Sequence, residues 1–215
     1  PLWLKSRAMA TGGGYARDQA RSRGKASADY VELRAASAIE AEPGPFEAIT
    51  LMPAIPYRED CTIRAYQASD AAGLAALYRR SVLHYGPLAY SSAQVNAWAG
   101  AISNEKVAAC SGDGRYVIVA VDGSNTILGW ADLEADGHID FLYSAPEAQG
   151  RRVGSALYGA LEQHARAAAM PRLYVEASEL ARHLFERRGF LLRHRNELSV
   201  GGVAIHNFSM EKQLL

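Results

Sequence analysis

From Cys61 to the C-terminus the apolar period of the sequence switches repeatedly from strand-like alternation to helical spacing and back, with one hairpin signal in the middle. Such an order, with a central hairpin and late crossover helices, indicates a layered sheet and not a doubly wound one. Cys61 to Tyr66 is short and alternating. Ser69-Asp70 then caps a run with Leu74, Leu77, Tyr78 and Val82 at helical spacing. A Gly-Pro loop spans His84 to Tyr90, and Ser91 or Ser92 caps a second helix carrying Val95 and Trp98. Tyr116 to Val121 reads as a buried strand ended by Asp122-Gly123. Thr126 to Glu134 and His138 to Ser144 read as strands joined by Ala135-Asp136-Gly137, where Asp-Gly tolerates positive φ. A helix follows from about Arg151 to Ala169. Strand Leu173 to Ala177, helix Glu179 to Arg187 and strands Phe190 to Val200 and Val203 to Met210 complete the chain. The expected class is therefore α/β (α+β): a mixed, mostly antiparallel sheet with parallel pairing where strand, helix and strand follow in sequence.

Composition narrows the partners. The 215-residue chain carries 23 basic and 23 acidic residues, so it lacks the basic balance that nucleic-acid binding calls for. Its longest apolar run, Tyr116 to Val121, is far short of a bilayer span of ~20 residues. Two cysteines, Cys61 and Cys110, make neither a disulfide framework nor a zinc cluster, and the histidines lack metal-ligand spacing. The expectations are a cytoplasmic setting, no nucleic acid, no membrane and no metal. Residues 1–51 differ from the rest, with a glycine triplet (Gly12 to Gly14), a basic patch and little apolar periodicity. They are read as a disordered extension or as vector-derived or read-through sequence, and residues 52–215 as the folded domain.

The most informative stretch is a strand, then Pro146, then Gln149-Gly150-Arg151-Arg152-Val153-Gly154-Ser155 opening an amphipathic helix. A tight loop feeding a helix N-terminus presents unpaired backbone N–H groups and the positive end of the helix dipole, which suits a phosphate. Neither the Walker A spacing nor the dinucleotide fingerprint is present. From spacing alone, an anion-binding loop and a plain strand-to-helix turn with a solvated arginine pair remain open.

Here the sequence resembles the GNAT superfamily of acetyl-CoA-dependent N-acetyltransferases. The family signature Gln/Arg-x-x-Gly-x-Gly/Ala is met by Gln149-x-x-Arg152-x-Gly154, with Arg152 in place of the first glycine. Leu142-Tyr143-Ser144-Ala145-Pro146 resembles the strand end beside pantetheine, and Ala181, Phe185, Gly189 and Phe190 resemble the late helix and strand. The resemblance implies six to seven strands and about four helices, splayed between the fourth and fifth strands. It implies that acetyl-CoA is the co-substrate and that its pantetheine meets the backbone of Leu142, Tyr143 and Ser144. Its pyrophosphate would sit on Gln149, Gly150, Arg151, Arg152, Val153, Gly154 and Ser155. Ser178 stands where the family has an asparagine and Phe185 where it has an acidic tyrosine, both beside the cofactor arm.

The implied reaction is direct attack of a primary amine, on a small molecule or peptide, on the thioester. It needs a proton acceptor, an oxyanion donor and protonation of the thiolate. His138 occupies the strand position of a catalytic glutamate in some members, and Asp140 two residues on shares a strand face with it. The competing reading makes both structural. Phe185 has no proton to give, so Tyr143, Tyr174, a water or no specific acid at all stay open for the thiolate, and the N–H of Leu142 or Tyr143 is the expected oxyanion donor. His84, Tyr85, Tyr90 and Trp98 form an aromatic-rich patch read as the acceptor site, against the alternative that they are core. The last two strands are a candidate homodimer edge. A non-catalytic CoA-binding sensor and transfer of a longer acyl group are the alternative functions.

Overall fold

Strand β3 (Tyr116–Val121) and strand β4 (Ile127–Leu133) are buried at almost every position, which an antiparallel pair shows only when both its faces are covered. Helices cover them here. The computed structural model describes residues 61–215 together with the two-residue strand β1 (Ile55–Pro56). Strand β2 (Thr62–Ala65) pairs antiparallel with β3, and β5 (Leu142–Ser144) with β4, giving a five-stranded sheet in the order β1-β2-β3-β4-β5. On one face, Trp130 stacks on Phe141 at 4.6 Å, beside Tyr78 of helix α1 (Ala71–Tyr85). On the other face lies helix α4 (Val153–Ala167), whose Val153, Leu157, Leu161 and Ala165 are buried. Gly129 makes that approach possible. A Cβ there would stand 2.7 Å from the Tyr143 carbonyl and 2.8 Å from a Val153 methyl.

Strand β6 (Arg172–Ala177), β7 (Leu191–Val200) and β8 (Val203–Gln213) form a second antiparallel sheet, ordered β6-β8-β7. Gly201 and Gly202, at φ 56° and 81°, make the turn between its last two strands. Helix α5 (Glu179–Arg187) joins β6 to β7. The two sheets meet through one isolated parallel bridge, His138 to Tyr174. In it Ile139 N–H donates to Tyr174 O (2.9 Å) and Tyr174 N–H to Gly137 O (3.0 Å). Beyond that seam β5 and β6 belong to different sheets, which is the expected splay.

Three details differ from the reading of the sequence. The described residues hold five α-helices, the addition being α3 (Asn104–Ser111), with α2 at Ser92–Ala99. Helix α3 is capped by Ser103 but buries Val107 as its one fully covered side chain, so its apolar period is too weak to read. The described strands number eight, including the short β1. The expected strand His138 to Ser144 is regular only over Leu142–Ser144, because Asp132 Oδ1 accepts from the N–H groups of both Asp140 (3.1 Å) and Phe141 (2.7 Å) and draws the backbone out of the ladder. The expectation for residues 1–51 lies outside the described residues.

Candidate functional site

The splay leaves β5 paired on one side. Asp132 N–H donates to Phe141 O and Ala145 N–H to Leu128 O, so residues 141, 143 and 145 direct their backbone groups to β4. By antiparallel alternation, Leu142 and Ser144 direct theirs into the gap toward β6. That separates the two expected oxyanion donors: Leu142 N–H points into the gap and Tyr143 N–H into the sheet. The Tyr143 ring is fully buried, 4.7 Å from Tyr78, so its hydroxyl serves the core.

β5 runs through a 3-10 turn (Pro146–Ala148) into the loop 149–152 and α4. No side chain caps α4, which leaves the first-turn N–H groups of Val153, Gly154 and Ser155 without the partner an N-cap residue supplies. Gly150 (φ 79°) and Arg152 (φ 60°) are both left-handed, so the loop does demand positive φ at the position where Arg152 replaces the family glycine. Arg152 accepts the conformation with its side chain exposed, at a backbone cost of ~1–2 kcal/mol. Arg152→Gly is therefore expected to be at least as stable as the parent, since the added glycine entropy is only ~0.5–1 kcal/mol. Arg152→Val, branched at Cβ, is expected to melt several degrees lower. Thermal unfolding of the three proteins checks this; equal melting temperatures would show that the left-handed turn carries no strain.

His138 lies at the seam, 1% exposed. Its Nε2 is 2.7 Å from Glu176 Oε2, its Nδ1 is 3.4 Å from Glu134 Oε1, and its ring stacks on Tyr174 at 4.7 Å. The donor in the contact with Glu176 follows the tautomer of the ring, and with the ring hydrogen on Nδ1, on the side of Glu134, Nε2 is the nitrogen that accepts a proton from the Glu176 side. These residues floor a cleft of about 660 Å³ whose walls include Asp136, Arg195, Glu197, Asn196 and Asn207. Four carboxylates thus face one guanidinium, and Arg195 Nε is itself 2.8 Å from Glu197. In a chain whose charges balance overall, this cleft is locally acidic. Burial, and then the bond to Asp136, pushes the Tyr174 hydroxyl well above the ordinary tyrosine range, so Tyr174 holds its proton.

Asp140 does not join His138 in the cleft. The expected shared face requires a regular strand, and residues 139–141 are not one. Its carboxylate instead lies 2.9 Å from Arg115 Nη1, beside Asp132 at 2.7 Å from the same nitrogen. Burial, and then the Asp140 charge, pushes the Asp132 carboxyl above the usual range. Burial works against the Arg115 charge, but hydrogen bonding to Asp113 and the carboxylates of Asp132 and Asp140 outweigh it.

The residues of the aromatic patch do not line the acidic cleft. Trp98 is fully buried and Tyr90 is 6% exposed. The Tyr90 hydroxyl donates to His206 O (3.2 Å) and accepts from Glu179 N–H (2.9 Å), tying the α1–α2 loop to β8 and α5, and burial above all pushes it up to about 12. Tyr85 is half-buried against exposed His84, and neither lines the acidic cleft. Ser178 is the N-cap of α5, accepting from Ala181 N–H at 3.2 Å, and Phe185 is fully buried against Phe190 at 4.8 Å. Glu134, Glu176 and Arg115 were not legible as site residues, because each reaches His138 or its neighbours only across strands. Among the described residues no group of metal-ligating side chains occurs, and no helix is long and apolar enough to cross a membrane.

The comparisons with known proteins agree with this architecture. Residues 88–213 match the family model of the acetyltransferase (GNAT) domain. The chain is 31% identical over 151 residues to the uncharacterized N-acetyltransferase YafP of Escherichia coli K12, covering 69% of this chain and 93% of that protein. It is similar to a GCN5-related N-acetyltransferase structure from Rhodopseudomonas palustris, with 36% identity, a TM-score of 0.66 and coverage of 71% and 94% of the two chains. A phosphinothricin acetyltransferase from Sinorhizobium meliloti, solved with AcCoA, shares the fold at 22% identity and a TM-score of 0.56, covering 72% and 88%. With its splayed sheets and uncapped loop-to-helix turn, the chain belongs to the GNAT acetyltransferase family.

Proposed function

We propose that the protein transfers the acetyl group of acetyl-CoA to a primary amine on a cationic small molecule or peptide. The observation that carries the reading is the pairing of a one-sided β5 with an uncapped α4 N-terminus along one gap. Acetyl-CoA fits this arrangement chemically. The Leu142 and Ser144 backbone groups suit the amides of its pantetheine arm. The N–H groups of Val153 to Ser155, with Arg151 and Arg152 nearby, suit its pyrophosphate. Ser178 keeps its O–H to donate after capping α5.

The acceptor enters from the other side, through the acidic cleft at the seam. An excess of carboxylates there raises the local concentration of ammonium groups and disfavours carboxylate-bearing acceptors. Such a field also holds the proton on the incoming amine, so the site needs a group to take it. Glu176 and His138 together receive that proton, Glu176 from its half-exposed position and His138 from behind it. With the amine uncharged, its lone pair attacks the thioester carbonyl carbon, the C–S bond breaks as the amide forms, and Leu142 N–H faces the charge developing on oxygen. The nitrogen sheds its second proton as the amide forms, and that proton reaches the departing thiolate through water, giving free CoA–SH.

Isothermal titration with acetyl-CoA, CoA and dephospho-CoA tests the cofactor half. Micromolar binding that weakens several-fold for dephospho-CoA is the expected result, because the arginines at the loop favour the 3′-phosphate. Absence of binding by the folded protein would overturn it. Thiol release with a panel of diamines and amino acids tests the acceptor half, with diamines expected to be turned over faster and with stronger salt sensitivity.

A further inference from the structure

We infer that Arg115 is a positioning residue for the reaction, holding Glu134 and the backbone after His138 so that the imidazole presents Nε2 to Glu176 and the cleft. The inference rests on the reading of His138 as a proton acceptor. Arg115 leads into β3, and its side chain is 8% exposed. Its Nη1 serves Asp132 (2.7 Å) and Asp140 (2.9 Å), and its Nη2 serves Asp113 (2.7 Å) and Glu134 (3.2 Å). A planar fork held by four carboxylates cannot rotate without breaking at least two of these pairs.

From this fork the hold on His138 runs by two routes. Through Asp132, whose Oδ1 takes the N–H groups of Asp140 and Phe141, it fixes the backbone just beyond the histidine. Through Glu134 it reaches the ring itself, since one oxygen, Oε1, lies 3.2 Å from Arg115 Nη2 and 3.4 Å from His138 Nδ1. Glu134 also donates its N–H to His138 O at 2.8 Å. An imidazole between two glutamates would keep any proton it received. Arg115 draws the charge of Glu134 toward the interior and leaves Glu176 as the stronger partner on the cleft side. The other charged or titratable groups facing His138 are Asp136 from its own turn, Tyr174 from β6, and Arg195 and Glu197 across the cleft from β7.

The test is a pH titration of the ring signals of the full-chain protein by ¹H–¹³C NMR. The chain has six histidines, and the His138 signal is the one absent from His138→Gln. In Glu134→Gln, which loses a negative neighbour, the midpoint of the His138 signal is expected to fall by about one pH unit. In Arg115→Lys, whose single ammonium cannot span the four carboxylates, it is expected to rise. Turnover of acetyl-CoA with 1,4-diaminobutane should follow, the acid limb of the rate profile moving in the same two directions. A midpoint unmoved in folded Glu134→Gln, with His138→Gln inactive, overturns this inference alone, whether or not Arg115→Lys folds. A His138→Gln protein that keeps the parental rate and profile overturns the proton-acceptor reading and this inference with it.

Discussion

Gly137→Ala is expected to destabilise the fold by about 2–5 kcal/mol and to lower the melting temperature by roughly 10 °C. Gly137 sits at φ +90°, and a Cβ there would stand 2.1 Å from the carbonyl oxygen of Arg172. The obstacle is backbone, so no side chain can swing aside. Relief requires parting the hairpin from β6 at the hydrogen bonds that join the two sheets, Tyr174 N–H to Gly137 O and Ile139 N–H to Tyr174 O. The seam is also where the gap along β5 begins, so acetyl-CoA affinity should fall together with stability. Gly159→Ala is the contrasting change. Gly159 is exposed within α4 and meets nothing within 4 Å, so alanine there is expected to stabilise by about 0.5–1 kcal/mol. Denaturant unfolding of both variants with titration of acetyl-CoA decides the matter, and a Gly137→Ala protein as stable as the parent would show that the seam is not held at this backbone contact.

The second large effect is on rate. His138→Gln is expected to lower kcat by roughly 10²- to 10⁴-fold, the usual contribution of a positioned proton acceptor, with the acetyl-CoA dissociation constant changed less than about threefold. The split follows from geometry. The groups that suit the cofactor are the backbone of β5 and the α4 N-terminus, whereas His138 meets Glu176, Glu134 and Tyr174 on the cleft. Activity should be lost as pH falls, because a protonated acceptor takes no second proton. Steady-state kinetics across pH check this, and an undiminished kcat would remove His138 from the role. Glu176→Gln, which keeps a hydrogen-bond acceptor but loses the charge, should show a smaller loss and leave acetyl-CoA binding intact.

Much of the fold was legible because it rests on local signals. Burial on both faces makes β3 a continuous apolar run, the Asp136-Gly137 turn sets the hairpin, and the loop from Pro146 to Ser155 carries its glycine and helix-start chemistry within ten residues. The site was legible only in part. Ser178 and Phe185 were found by their place in the family pattern, yet in the structure one caps a helix and the other fills the core. Tyr90 and Trp98 look like a binding patch in sequence because aromatics serve both uses, and their burial shows the core use. Asp140 was placed with His138 by the two-residue strand period, which fails where Asp132 gathers two successive N–H groups.

The sequence by itself determined the order of strands and helices, the strand-loop-helix turn at Gln149 to Ser155 and the family. These depend on periodicity, turn residues and caps, which act over a few residues. Tertiary structure alone decided which backbone groups of β5 face the gap, that Arg152 adopts a left-handed conformation, and that Glu134 and Glu176 bracket His138. It also gathered Glu134, Asp136, Glu176 and Glu197 into one cleft. The physical reason is that charges interact through space. Carboxylates more than sixty residues apart in sequence become one negative field only when the sheets close, and a balanced composition gives no sign of it.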